Sequence, residues 1–140
     1  MEDLKTILSS HHSKNSATAK AIKTTNEEVR ATTSEIPDLF FDEILIQFKL
    51  TRTEILLLMY LYRITWCKAN LHQKFGIAPI VSYGDLSSTL DISTDILHQT
   101  IRKLEGFGFI ETIRSGQYFV RKYFTEENDR KYGQTYDNFL

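Results

Sequence analysis

The stretch from Asp91 to Arg121 most constrains the fold, because a short amphipathic helix is followed there at once by two strand-like segments. The Ser93 hydroxyl is placed to accept a hydrogen bond from a backbone N–H of the first helical turn. Gly106 is the predicted C-terminal stop of this helix. Apolar residues recur at spacings of four and three, which places them on one helical face: Leu97, Ile101 and Leu104.

Two segments after this helix are rich in aromatic and β-branched residues, which favours strands. They run from Phe109 to Ile113 and from Gln117 to Tyr123, and Ser115-Gly116 between them predicts a tight turn. The segment therefore predicts a helix followed by a β-hairpin.

The next most informative feature is the run that precedes this segment. Thr51 with Glu54 three residues later matches a capping box, in which each side chain accepts from the other residue's backbone N–H. The run from Ile55 to Trp66 is apolar almost all round, which is typical of the central buried helix of a small domain. We expect this helix to continue to Leu71 or His72.

The connection between the two predicted helices contains an edge strand and a further short helix. Ile77 to Tyr83 predicts a loop and a short edge strand, since Pro79 cannot donate to a strand ladder. Gly84 to Leu90 predicts a short helix, and Asp91 to Ser93 the turn into the next one. Two short helices across such a turn are typical of a helix-turn-helix.

An acidic helical segment, Ser34 to Leu50, comes first in the predicted domain, with one Lys against four acids. Its apolar stripe contains Leu39, Phe40, Phe41, Ile44, Leu45 and Phe48. This stripe is expected to face the core, and the alternative is that part of it, such as Phe40 or Phe41, packs on a second protomer.

The chain divides by composition into three parts. Residues 1–33 are rich in Ser, Thr, Lys, Ala and Asn and predict a flexible arm. This arm is either a passive tail or carries Lys14, Lys20 and Lys23 onto a phosphate backbone or a protein partner. Residues 34–124 form the predicted domain. Residues 125–140 are polar with spaced aromatics, and predict an extra helix, a segment that binds another protein, or disorder.

Composition bounds the class of protein. The formal charge of −1 gives no bulk basic excess, and the single cysteine, Cys67, allows no internal disulfide. No apolar run is long enough to span a membrane, so a cytoplasmic protein without a membrane partner is expected. Phosphate-binding, nucleophile and metal motifs are missing from the sequence. We therefore expect neither an enzyme nor a cofactor.

Three stretches resemble two known DNA-binding families. The run L-E-G-F-G-F-I-E at Leu104–Glu111 resembles the end of the recognition helix and the first wing strand of MarR-type regulators. The runs at Leu50–Trp66 and Val81–Leu86 resemble the N-terminal domain of phage and plasmid replication proteins. Over roughly Leu50 to Phe124, the resemblance implies a winged helix-turn-helix, mainly α with a small β-hairpin wing. A MarR-type dimer needs long helices at both ends, and this chain has one modest helix before Leu50 and a short tail. This departure counts against a MarR-type dimer, and a homodimer is kept only as an alternative.

The predicted DNA surface comprises the exposed helix face and the hairpin. Gln99 suits pairing with adenine and Arg102 with guanine, while Ser93 and Thr94 suit a phosphate at the helix N-terminus. The full set of candidates is Ser93, Thr94, His98, Gln99, Arg102, Lys103, Arg114, Arg121 and Lys122.

Each candidate also has an ordinary structural interpretation. Arg102 and Lys103 also suit the solvated face of an amphipathic helix, and Arg114 a simple turn cation. Asp95 on the same helix repels phosphate, although it could accept from a cytosine amine.

Two functions are compatible with these patterns. The first is sequence-specific binding of double-stranded DNA, as a transcription regulator or a DNA-replication accessory factor. The second is a winged-helix protein-interaction module, acting through the acidic helix and the aromatic-acidic tail. A protein partner could also bind the N-terminal arm.

Overall fold

The computed structural model describes residues 32–138, which are mainly helical with one two-stranded antiparallel sheet. The predicted arm, with Lys14, Lys20 and Lys23, lies outside the described residues except for its last two positions. The strands are β1 (Ile110–Arg114) and β2 (Gln117–Val120). The helices are α1 (a π-helical turn, Phe40–Ile44, continued by Leu45–Gln47), α2 (Arg52–Tyr62, continued by the π-helical turn Arg63–Cys67), α3 (Tyr83–Leu90), α4 (Thr94–Phe107) and α5 (Glu126–Lys131). The expectation of a mainly helical chain with a small hairpin is confirmed.

Helix α2 lies at the centre of the core and packs against α4. Its capping box is present, because the Thr51 hydroxyl accepts from the Glu54 N–H while the Glu54 carboxylate accepts from the Thr51 N–H at 2.9 Å. Leu57, Leu58 and Leu61 are fully buried, and the other apolar residues of the helix are at least partly covered. The prediction of a central buried helix is confirmed.

The predicted end of α2 at Leu71 or His72 is wrong, since the helical backbone stops at Cys67. Side chains from the following loop bind the backbone there. The Asn70 amide donates to the carbonyl oxygens of Thr65 at 3.3 Å and Ile77 at 2.8 Å. The Gln73 amide donates to the carbonyl of Trp66 at 3.0 Å. The bonds to Thr65 and Trp66 satisfy carbonyls at the helix end, so the chain can leave the helix there, and Leu71 lies in the solvent.

Helix α1 contributes to the core as predicted, with Phe40 and Ile44 buried. The ring of Phe40 packs against Phe124 at a centroid distance of 5.3 Å. Phe40 is therefore unavailable to a second protomer. The alternative that Phe40 packs on a second copy is wrong. Phe41 is exposed and remains available.

Helix α4 runs past the predicted stop at Gly106 and ends at Gly108, which has a positive φ of 85°. The Gly108 N–H donates to the carbonyl of Glu105 at 2.9 Å. The two extra residues bring Phe107 against Phe48, with ring centroids 5.2 Å apart. Tertiary packing therefore extends the helix by two residues.

The hairpin forms where predicted, with shorter strands. Ile110 pairs with Val120 and Arg114 with Gln117, and a bulge leaves Ile113 as an extra residue in β1. The segment before α3 lies along the other edge of β2, bonded through Ala78 N–H to the Tyr118 carbonyl at 2.9 Å. The predicted edge strand is thus present as extended chain with a single bridge, from Ile77 to Phe119.

The C-terminal segment folds onto the same domain. Thr125 caps α5 by accepting from the Asn128 N–H at 3.1 Å. Beyond α5, the ring of Tyr136 packs edge-on against Phe119 at 4.8 Å. Among the three predictions for this segment, the structure shows the extra helix.

Candidate nucleic-acid interface

Helix α4 is amphipathic because its apolar residues recur on one side. Leu97, Ile101 and Leu104 are buried against the core. Ser93 caps the helix by accepting from the Ile96 N–H at 3.3 Å, as predicted. The Thr100 hydroxyl donates to the Ile96 carbonyl at 2.7 Å, so this polar residue is satisfied inside the helix. The opposite side of α4 is left to the solvent.

The predicted residues of α4 all lie in the solvent. The exposed members are Ser93, Thr94, His98, Gln99, Arg102 and Lys103. Asp95, Gln99 and Arg102 follow one another at spacings of four and three, so they form the centre of the exposed face. This face therefore combines one acid, one amide and one guanidinium.

Tyr83 joins the exposed face of α4 to the tip of the hairpin. Its ring lies 4.5 Å from the His98 ring, measured between centroids. Two residues earlier, the Val81 N–H donates to the carbonyl of Gly116 in the hairpin turn at 2.8 Å. Between them, Ser82 caps α3 by accepting from the Asp85 N–H at 3.0 Å. The start of α3, the face of α4 and the hairpin tip are therefore neighbours.

Arg114 lies exposed at the hairpin tip. Its Nε donates to the Gln117 side-chain oxygen at 3.0 Å, which orients the guanidinium across the turn. Arg114 also lines an open groove of about 590 Å³ with Leu71 and Ile80. The hairpin thus presents one oriented cation beside an apolar surface.

Lys103 and Gln99 border the start of α2. They line a hollow of about 260 Å³ together with Thr53 and Glu54. The ammonium group of Lys103 lies 5.6 Å from the ring of Phe107. Lys103 therefore lies at the edge of the exposed face rather than at its centre.

The structure places Arg121 and Lys122 apart from this surface. Arg121 forms an ion pair with Asp129 of α5 at 3.0 Å and stacks over Phe119. The ammonium group of Lys122 lies 5.6 Å from the ring of Trp66. Because β2 ends at Val120, both residues follow the chain toward α5 instead of continuing the hairpin.

The exposed charges around α4 and the hairpin tip nearly cancel. The cations are Arg102, Lys103 and Arg114, and the exposed acids on α3, the turn and α4 are Asp85, Asp91 and Asp95. A phosphate backbone therefore meets no large positive field here, and contact would depend on shape and on individual hydrogen bonds.

Sequence reasoning missed the apolar wall beside Arg114. Leu71 is 92% exposed and Ile80 is 61% exposed, although both were expected inside regular elements. A signal was available, since residues 55–84 contain no Asp or Glu.

Other chemistry is limited within residues 32–138. No group of three or more His, Cys, Asp or Glu side chains there could hold a metal ion. No helix in this part of the chain is long and apolar enough to cross a membrane. The Cys67 thiol donates to the Glu35 carbonyl at 3.3 Å, and burial raises its pKa above the ordinary value.

Comparisons with protein-family models, characterised proteins and solved structures give no match to this chain.

Proposed function

We propose that this chain is a winged helix-turn-helix protein that binds duplex DNA, with α4 as its recognition helix. The observation that carries the proposal is the exposed face of α4, which is continuous through Tyr83 with a hairpin tip bearing Arg114. The turn Asp91 to Ser93 joins α3 to α4 as in a helix-turn-helix. This arrangement supports a helix in the major groove with a hairpin on the flanking backbone.

The chemistry of the α4 face suits the readout of base edges. A glutamine amide can bond adenine N6 and N7 together, and a guanidinium can bond guanine O6 and N7. Gln99 and Arg102 supply these two groups three residues apart on one face. Thr94, at the start of α4, suits a neighbouring phosphate, as does Arg114 on the hairpin.

The near-cancellation of charge predicts weak binding by a single copy. Three exposed cations on this surface would displace about three counterions, so the slope of log K against log salt should be roughly −3. A second copy on the same duplex, or lysines of the N-terminal segment, would add phosphate contacts and so raise the affinity for DNA. Both a transcription regulator and a replication accessory factor are compatible with such a protein.

Fluorescence anisotropy at low salt tests the proposal, first with a random duplex pool and then with sequences selected from it. Arg102→Ala should cost about 1–3 kcal/mol, confined to one base-pair position. Arg114→Ala should weaken binding evenly across sequences and reduce the salt slope by about 1. Arg130→Ala is the matched control, because Arg130 is an exposed cation on α5, paired with Glu126.

Two results of this assay would contradict the proposal. The proposal is wrong if the intact chain binds no duplex at low salt, or if Arg130→Ala weakens binding as much as Arg102→Ala and Arg114→Ala.

A protein-interaction module is the second candidate, and one observation favours it. Phe41 is 51% exposed and Ile46 is 66% exposed on α1, beside the exposed acid Asp42. The C-terminal segment supports it less, because Asp129 and Tyr136 bond within the domain. A Phe41→Ser variant that loses a co-purified partner but keeps its DNA affinity would favour this candidate.

A further inference from the structure

Two apolar surfaces of the described chain lie open to the solvent in different elements. The first, here called the acidic patch, comprises Asp38, Phe41, Asp42 and Ile46 of α1 and its start. The second, here called the basic groove, is lined by Ala69, Leu71, His72, Pro79, Ile80 and Arg114. Each exposes two large aliphatic or aromatic side chains, and exposed apolar patches rimmed by polar residues mark interaction sites.

The two surfaces carry opposite charge. Residues 34–50 have four acids against one lysine. The charged side chain that lines the groove is Arg114. Lys68 and Lys74 flank the lining residues in sequence, and residues 68–84 contain no acid. The Arg114 side chain is oriented by Gln117 and lies in the groove wall itself. The patches are therefore complementary in charge as well as in apolar character.

We propose that the acidic patch of one copy docks in the basic groove of a second copy. Phe41 and Ile46 would fill the space between Leu71 and Ile80, and Asp42 would pair with Arg114. Phe40 and Ile44 hold α1 in its own core, so the exposed side of α1 stays open to contact with another molecule. The inference does not rest on DNA binding, and it can be tested without DNA.

The charges of the two surfaces favour a head-to-tail contact over a two-fold dimer. A two-fold dimer through α1 would bring the acids Asp38 and Asp42 of the two copies together, and one through the groove would bring the two Arg114 side chains together. Like charges placed together disfavour both arrangements. A head-to-tail contact avoids the repulsion, and it adds copies until a ring closes or the chain of copies grows.

The interface is small, so the association should be weak. With two large apolar side chains on each side, it belongs to the low end of specific interfaces, with affinity roughly between micromolar and millimolar. Sedimentation of the full chain over this concentration range should show the average mass rising with concentration and passing the value for a dimer.

Single substitutions on either surface should weaken assembly. Phe41→Ser and Leu71→Ser should each raise the midpoint concentration of association about tenfold or more. Asp42→Arg and Arg114→Asp should each do the same, and the double variant should regain most of the lost association. Tyr132→Ser is the matched control for Phe41→Ser, since Tyr132 is half-exposed like Phe41 but lies outside both surfaces. Circular dichroism would verify that each variant is folded.

Three outcomes would overturn the inference. The first is a monomer mass across the whole concentration range. The second is assembly that only the groove variants impair, which would indicate a groove-to-groove dimer. The third is a Leu71→Ser variant that assembles like the unmodified chain in sedimentation but binds DNA more weakly. This result would make the groove part of the DNA surface. An unmodified chain that assembles as expected but binds no duplex DNA would instead count against the proposed function alone.

Discussion

At the scale of single residues, the hairpin tip depends on the one glycine that lies against the chain before α3. Gly116 has a positive φ of 81°, and a side chain there would fall on the carbonyl oxygen of Val81. Its own carbonyl accepts from the Val81 N–H at 2.8 Å. By contrast, Gly106 lies in α4 with ordinary helical dihedrals and open space around it. The backbone conformation and the contact with Val81 therefore require a glycine at position 116, whereas the surroundings of Gly106 leave room for a side chain.

Substituting alanine at both positions should therefore have opposite effects. Gly116→Ala should lower the free energy of unfolding by about 2 kcal/mol or more, because of backbone strain and the clash with Val81. Gly106→Ala should raise it by about 0.5–1 kcal/mol, since alanine loses less conformational entropy in a helix. Urea unfolding followed by circular dichroism measures both. Similar changes of the same sign would contradict the description of the hairpin tip.

At the scale of elements, α5 is attached through one buried carboxylate. Asp129 accepts from the Arg121 guanidinium at 3.0 Å, from the Tyr123 N–H at 3.1 Å and from the Tyr136 hydroxyl at 2.6 Å. The Tyr136 hydroxyl in turn accepts from the Lys122 N–H at 2.9 Å. Asp129 thus connects the end of the hairpin, α5 and the following segment.

Removing this carboxylate should loosen the whole attachment. Asp129→Ala should lower the free energy of unfolding by about 2–4 kcal/mol, because it leaves a partly buried guanidinium and a backbone N–H without their acceptor. Glu126→Ala is the matched control, because it breaks only the exposed pair with Arg130 and should cost at most about 0.5 kcal/mol. Thermal unfolding of the two variants provides the comparison. Equal losses would contradict the role of Asp129.

At the scale of the whole molecule, three tyrosines in or against the core make the free energy of unfolding depend on pH in the alkaline range. Burial raises the pKa of Tyr62, Tyr118 and Tyr136 well above the ordinary value of 10.0. The bond that Tyr136 donates to Asp129 raises the pKa of Tyr136 further. The unfolded chain therefore releases these protons at a lower pH than the folded chain does.

The contribution of these tyrosines to the free energy of unfolding should consequently be fully present below about pH 10. It should fall above this pH, since the folded state then binds more protons than the unfolded state. Each such tyrosine contributes a slope of about 1.4 kcal/mol per pH unit. Tyr136→Phe should be less stable at pH 7 because the bond to Asp129 is lost, but its stability should fall less steeply above pH 10. Urea midpoints from pH 7 to 11.5 test this. An unchanged slope in Tyr136→Phe would contradict the assignment.

The predictions that succeeded rest on interactions between residues close in sequence. The capping box of Thr51 and Glu54, the cap at Ser93 and the turn at Gly116 are local, so their residue types are sufficient to predict them. The predictions that failed depend on distant partners. Helix α2 ends early because Asn70 and Gln73 bind its last carbonyls, and α4 is extended by contact of Phe107 with Phe48.

The candidate interface divides in the same way. The periodicity of α4 determined that Gln99 and Arg102 face the solvent, because burial of Leu97, Ile101 and Leu104 leaves the opposite side exposed. Only the tertiary structure decided which other cations remain near them. Arg121 is held by Asp129, a carboxylate from another element that no periodicity connects to it. Sequence pattern determines the faces of single elements, whereas the partners of a charged side chain depend on how those elements pack.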